Sequence, residues 1–110
     1  MAMTRDGARE IIRKILAGTV PCSQSLHFLQ ELEAHGYSMY DVRSIMQSCR
    51  FEHPPYWSGK HANFKAYLRG KCLAFGRPTC VLLGLLPDGP NVYATVFPIA
   101  DPTREVPRRP

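Results

Sequence analysis

The spacing of apolar residues changes partway along this chain, and that change limits the folds open to it. Up to about Cys49 they recur at intervals of three and four, the repeat of an amphipathic helix; from Asn63 they fall on every second residue, the repeat of a half-buried strand. Pro54-Pro55 and Ser58-Gly59 separate the two regimes with a segment unsuited to regular structure. Helices and strands each need a partner for their apolar side, and helices packed on one side of a sheet satisfy both, which is an α+β fold.

A chain of 110 residues builds one core, not two, and 45% hydrophobic against 21% charged residues describe a globular domain. The first helix is predicted from Thr4 to Ala17, with Thr4 as N-cap, Ala8, Ile11, Ile12, Ile15 and Leu16 on its apolar face, and Gly18 as its stop. Val20-Pro21 breaks the chain before a second helix that starts at Ser23 or Ser25 and ends at Gly36. Leu26, Leu29 and Leu32 mark its expected buried stripe, with Phe28 on a flank. A third helix follows from Ser38, with Asp41 completing a capping box and Val42, Ile45 and Met46 facing the core.

In the second half, Phe64, Ala66 and Leu68 alternate with Lys65, Tyr67 and Arg69, the pattern of a strand with one face in the core. Thr79 to Leu86 is almost continuously apolar, as in a central strand buried on both faces, and Asn91 to Phe97 alternates again, Val92, Ala94 and Val96 against Tyr93, Thr95 and Phe97. Gly76-Arg77-Pro78 and Pro87-Asp88-Gly89-Pro90 supply the reversals. The expectation is therefore N-terminal helices packed on a C-terminal twisted antiparallel sheet, a single α+β domain over residues 1–97. Residues 98–110 carry four prolines with Arg104, Arg108 and Arg109, and are expected to form an extended or disordered tail.

A formal charge of +5 favours an anionic partner, and its distribution sharpens the point. Between Arg43 and Arg77 stand Arg50, Lys60, Lys65, Arg69 and Lys71, with Glu52 as the single acid. Lys65, Tyr67 and Arg69, spaced about 7 Å apart along one strand face, match successive phosphate oxygens of a nucleic-acid backbone. Exposed strands also carry Lys and Arg to discourage edge pairing, so the row has a second reading as a solvated face. The loop before it holds Trp57, Lys60 and His61, aromatic and basic together.

Cys22, Cys49, Cys72 and Cys80 match no zinc-binding spacing, so neither a metal nor a cofactor is expected. The N-terminus Met-Ala-Met-Thr-Arg-Asp has no secretory pattern and the longest apolar run, Val81 to Leu86, is too short to span a bilayer. No membrane association is expected, and the expected location is a reducing cytoplasm with four free thiols.

The passage Leu26-His27-Phe28-Leu29-Gln30-Glu31-Leu32-Glu33-Ala34-His35-Gly36-Tyr37-Ser38-Met39-Tyr40-Asp41-Val42 resembles the histidine-to-Arg-Gly-Ile-Ser-x-x-Asp-Val signature of a family of small uncharacterised bacterial domains. That family is allied to the RelE, MqsR and BrnT ribonuclease toxins. The following strand order and Leu68-Arg69-Gly70 agree, and the likeness spans roughly Ser25 to Phe97. His27 stands at the family's helix histidine, whereas the arginine before the family's glycine is His35 here. The resemblance implies a RelE-like architecture, metal-independent endoribonuclease activity on RNA and neutralisation by an antitoxin protein. It also implies a second possibility, since members of such families have lost catalysis and serve as nucleic-acid- or protein-binding modules.

Metal-free RNA cleavage needs a base for the 2′-hydroxyl, an acid for the leaving 5′-oxygen and cations for the phosphorane. The candidate catalytic residues are His27, Lys65, Tyr67 and Arg69, converging on one concave site. The candidate RNA-contacting residues are Trp57, Lys60, His61, Lys71 and Arg77, with Tyr93 and Thr95 on the neighbouring strand. Tyr67 as packing and His27 as an unliganded flank residue are the alternatives. His27 is about 100° from Leu26 around the helix and belongs at its edge or outside.

Overall fold

A computed structural model describes residues 2–109; Met1 and Pro110, the outer ends of the expected domain and tail, lie outside it. Helices α1 (Arg5–Ala17), α2 (Leu26–His35) and α3 (Met39–Ser48) precede strands β2 (Tyr56–Ser58), β3 (Asn63–Lys71), β4 (Pro78–Leu85) and β5 (Asn91–Pro98), while a short β1 (Cys22–Gln24) lies between α1 and α2. The five strands form one sheet in the order β1-β5-β4-β3-β2. The expected antiparallel meander is its centre, but the sheet is mixed, because β1 pairs with β5 in parallel. Both edge strands are 3 residues long, too short for a period-two pattern to register in the sequence.

The helix boundaries follow from their caps. Thr4, Ser25 and Ser38 each accept a backbone N–H of the first turn, and Gly18 and Gly36 close α1 and α2 in the left-handed region at φ 76° and 69°. Asp41 completes the α3 capping box and its second oxygen accepts the Leu73 N–H at 2.7 Å, tying the β3–β4 connection to that helix. Gly70 lets α3 approach β3, since a Cβ there would lie 2.7 Å from Ile45 Cγ1.

The helices cover one face of the sheet, burying Ile11, Ile12, Val42, Ile45 and Met46 against Ala66, Leu68, Val81, Leu83 and Val96. In α2 the expected stripe holds at Leu32, half-buried against the core, and is corrected at Leu26 and Leu29. Leu26 and Leu29 are 71% and 43% exposed, and Phe28 is the buried anchor, stacked on Tyr93 with ring centroids 5.1 Å apart. Burying that one ring contributes roughly 2 kcal/mol or more, enough to fix the roll of a ten-residue helix.

The second sheet face is not left to solvent. Residues 99–109, expected to be a loose tail, fold back across it and bury Ile99 and Val106 against Tyr67, Cys80 and Leu82. This strap has no regular secondary structure; side chains hold it. Arg69 donates to the carbonyls of Pro102 and Arg104 at 2.9 and 2.7 Å, Glu52 accepts the Val106 N–H at 2.9 Å, and the Arg109 N–H reaches the Tyr56 and Tyr67 hydroxyls.

Candidate functional site

The strap covers only part of the second face. Beside it, over β3, β4 and β5, lies an open cleft of about 690 Å³. Its floor is Lys65, Leu82, Gly84, Ala94 and Thr95; Ser25 and His27 at the start of α2 form one rim, and Lys60, His61 and Asn63 the other. Arg109, from the end of the strap, also lines it. Every ionisable residue among these is basic.

Local structure explains each placement. Ser25 follows the β1 pairing, its N–H donating to the Tyr93 carbonyl and its hydroxyl to that of Ala94 at 3.0 Å, so the N-terminal turn of α2 is fastened to β5. That turn brings His27 to the rim and adds the positive end of the helix dipole. His61 sits in the β2–β3 turn, its ring nitrogen Nδ1 3.3 Å from the Ser58 hydroxyl. Asn63 and Lys65 point from β3 to the same face because they are two residues apart.

Lys65 is the central charge. It is only 5% exposed, and none of the ion pairs among the described residues involves it. Burial, followed by the charges of Lys60 and Arg109, lowers its pKa from the usual lysine value. The Lys65 ammonium in turn is the main reason the His61 pKa lies below that of a free imidazole. Thr95, 4% exposed, has a hydroxyl with no hydrogen-bond partner among the described residues, and the Asn63 side-chain oxygen has none either. Buried polar groups are ordinarily satisfied, so a floor with a lysine in no ion pair among the described residues and an unpartnered hydroxyl suits an anion, and the Asn63 oxygen, an acceptor, suits a ligand hydroxyl beside it.

The structure divides the sequence-predicted residues. His27, Lys65, Lys60, His61 and Thr95 share the cleft. Tyr67 and Arg69 do not join them, although they occupy the same sheet face as Lys65: Tyr67 is fully buried beneath the strap and Arg69 is spent on Glu52 and the strap carbonyls. Burial pushes the Tyr67 phenol well above its ordinary pKa, which removes it from proton transfer near neutrality.

Tyr93 is displaced by a bulge. The β4–β5 register shifts between Leu82, opposite Thr95, and Leu83, opposite Tyr93, which turns Tyr93 into the helix-side core and leaves Thr95 on the cleft side. Trp57 pairs with Phe64 on the face away from Lys65 and packs edge-on against that ring. Arg77 stacks over Tyr37 and donates to the His35 carbonyl, a structural role on the helix side, and Lys71 is exposed at the far end of β3.

Seven lining residues were not among the candidate site residues, and the most telling are Asn63, Gly84 and Arg109. Asn63 had a signal, being in step with Lys65 in the alternation; Gly84 looked like an interruption of an apolar run, and nothing local in the tail pointed Arg109 back to the sheet. Among the described residues no group of three or more His, Cys, Asp or Glu is placed to hold a metal ion, and no helix is long and apolar enough to cross a membrane. No protein-family model, curated protein or solved structure matches the chain.

Proposed function

We propose that this protein is a metal-independent endoribonuclease of the RelE-like toxin kind, acting on RNA in the cytoplasm and held in check by an antitoxin. The observation that carries the reading is the buried Lys65, in no ion pair among the described residues, in a cleft whose rims present His27 and His61. Two imidazoles across a cation satisfy the requirements of phosphodiester transfer. His61, kept neutral by the neighbouring charge, takes the proton of the 2′-hydroxyl; that oxygen attacks phosphorus and the bond to the 5′-oxygen breaks. His27 protonates the departing 5′-oxygen, and the other product is a 2′,3′-cyclic phosphate. Lys65 meets the charge that gathers on the phosphorane, where low local dielectric makes it most effective, and Thr95 and Asn63 orient the phosphate oxygens or the sugar. Tyr67 and Arg69 take no part in the chemistry of this version.

A second reading, a non-catalytic RNA-binding module, draws support from the exposure of both histidines, neither of which has a carboxylate among the described lining residues to orient it. Incubation of the purified protein with RNA under chelator decides between them. Cleavage to 2′,3′-cyclic ends that is lost in His61→Ala and Lys65→Gln supports the nuclease; tight, salt-sensitive binding with intact RNA supports the module. Growth arrest on expression, relieved by a co-expressed neighbouring gene product, tests the toxin and antitoxin parts.

A further inference from the structure

Arg69 was the residue of the β3 row best suited by chemistry to a phosphate, and the fold uses it elsewhere. Its Nε and one terminal nitrogen grip Glu52 at 2.5 and 2.8 Å, and its terminal nitrogens also hold the carbonyls of Pro102 and Arg104. Glu52 then takes the Val106 N–H. The pair acts as a clasp on the strap backbone. Beyond it, the backbone of Arg109 is fixed at both ends: its N–H reaches the two tyrosine hydroxyls and its carbonyl accepts from Tyr56 at 2.5 Å. The side chain is thereby left to a different task. It crosses the Phe97 ring, its carbon Cζ 4.8 Å from the centroid, and lines the cleft that holds Lys65.

The same strap carries Arg108, whose guanidinium lies over Tyr56 at 5.3 Å and is not among the residues lining the cleft. Two adjacent arginines thus face different surroundings. Thr95, which lines the cleft with a buried hydroxyl that has no partner among the described residues, is the independent sign that this space takes a polar ligand.

We infer that the strap completes the cleft: docked by the Arg69–Glu52 clasp, it delivers the Arg109 guanidinium as a second cationic contact to the ligand phosphate, and Arg69 is a positioning residue that acts through Arg109. This inference rests on the reading of the cleft as a phosphodiester site. It explains why a strand that places Lys65 and Arg69 on one face spends the second cation on the chain's own carbonyls. The planar, two-pronged guanidinium suited to a phosphate is supplied from the strap instead.

The experiment measures affinity for a 2′-O-methyl oligouridylate, which lacks the attacking hydroxyl and so reports binding alone, across a range of salt. Lys65→Gln tests the cleft itself and must weaken binding. Arg109→Gln is expected to weaken it roughly tenfold and to reduce the slope of log affinity against log salt by about 0.7, the share of one phosphate contact on a single strand. Arg108→Gln is expected to keep the wild-type slope. Arg69→Gln releases the strap carbonyls of Pro102 and Arg104 and is expected to reproduce part of the Arg109→Gln loss, with the double variant no weaker than Arg109→Gln alone.

If Lys65→Gln binds as the wild type does, the phosphodiester reading of the cleft itself fails. If Lys65→Gln loses affinity while Arg109→Gln behaves as Arg108→Gln, the cleft stands and the delivery of Arg109 is overturned. If the Arg69→Gln loss adds fully to that of Arg109→Gln, Arg69 meets the ligand directly and is no positioning residue. Should Arg69→Gln not fold, Arg109→Gln against Arg108→Gln still decides the inference, because the strap is held at Arg109 by backbone atoms that neither substitution removes.

Discussion

Lys65 lies directly opposite Gly84 in the β3–β4 ladder, so the buried ammonium has beside it the one position of the cleft floor without a side chain. A Cβ at Gly84 would fall 2.3 Å from Asn63 Nδ2 and 2.9 Å from Val92 Cγ1. The glycine keeps the floor deep and gives the Asn63 amide its place. Gly84→Ala is expected to push that amide into the cleft, cost about 1–2 kcal/mol of stability through overpacking, and weaken oligonucleotide binding several-fold. Urea denaturation and the binding titration read the two effects, and unchanged affinity would show the amide's place to be immaterial.

A buried lysine in no ion pair among the described residues burdens the fold when no anion is bound. Replacing it with an apolar side chain of similar length should relieve that burden, so Lys65→Met is expected to raise stability by about 1 kcal/mol in phosphate-free buffer while it abolishes binding. The wild type should itself gain stability on adding the oligonucleotide, and the variant should not. A destabilised Lys65→Met would mean that the ammonium has a satisfying partner in the folded protein.

The Lys65 charge also sets the titration of His61. Its pKa is lowered by Lys65 first, then by burial and Lys60. In Lys65→Met the His61 ring protons, followed by NMR, are therefore expected to titrate at higher pH than in the wild type, closer to 6.5. In the wild type the acid limb of the cleavage rate should lie below 6.5, where His61 is the base. A His61 titration indifferent to Lys65 would separate the two residues electrostatically.

The clasp predicts a different pH dependence for the strap. Hydrogen bonds from Arg69, the largest cause, hold the Glu52 pKa below its ordinary 4.5. A carboxyl depressed in the folded state stabilises fully above its unfolded pKa and loses that contribution as pH falls through the folded one. Hydrogen exchange at the Val106 amide should accordingly accelerate, beyond the intrinsic rate, as pH drops below 4.5. Glu52→Gln is expected to remove this dependence and cost about 2–3 kcal/mol, since it strands a partly buried guanidinium.

Much of this architecture can be read from local rules, and the misses have local reasons too. The change of period at the proline loop placed the helices before the strands, and Ser25, Gly36 and Ser38 fixed the helix ends through hydrogen bonds that depend only on neighbours. Leu26 and Leu29 misled because α2 has apolar residues on more than one side, and only the contact of Phe28 with Tyr93 decides which side is buried. Tyr93 followed the alternation until one extra residue reversed it. Arg69 and Lys65 look alike in sequence; their fates differ because the strap returns to one and not the other, and a pairing across 35 residues with the Arg104 carbonyl leaves no local trace.

The two edge strands have a consequence for life in a crowded cell. A sheet with long strands at its rim offers unpaired N–H and C=O groups to any passing chain and can grow by edge-to-edge addition. Here the strands of 8 or 9 residues take the interior places in the strand order, and both edge strands are 3 residues long, with Pro54-Pro55 just ahead of one and Pro21 just ahead of the other. Proline offers no N–H to an incoming strand, so the edge strand cannot lengthen in that direction. The two shortest strands of the molecule are thus its guard against aggregation.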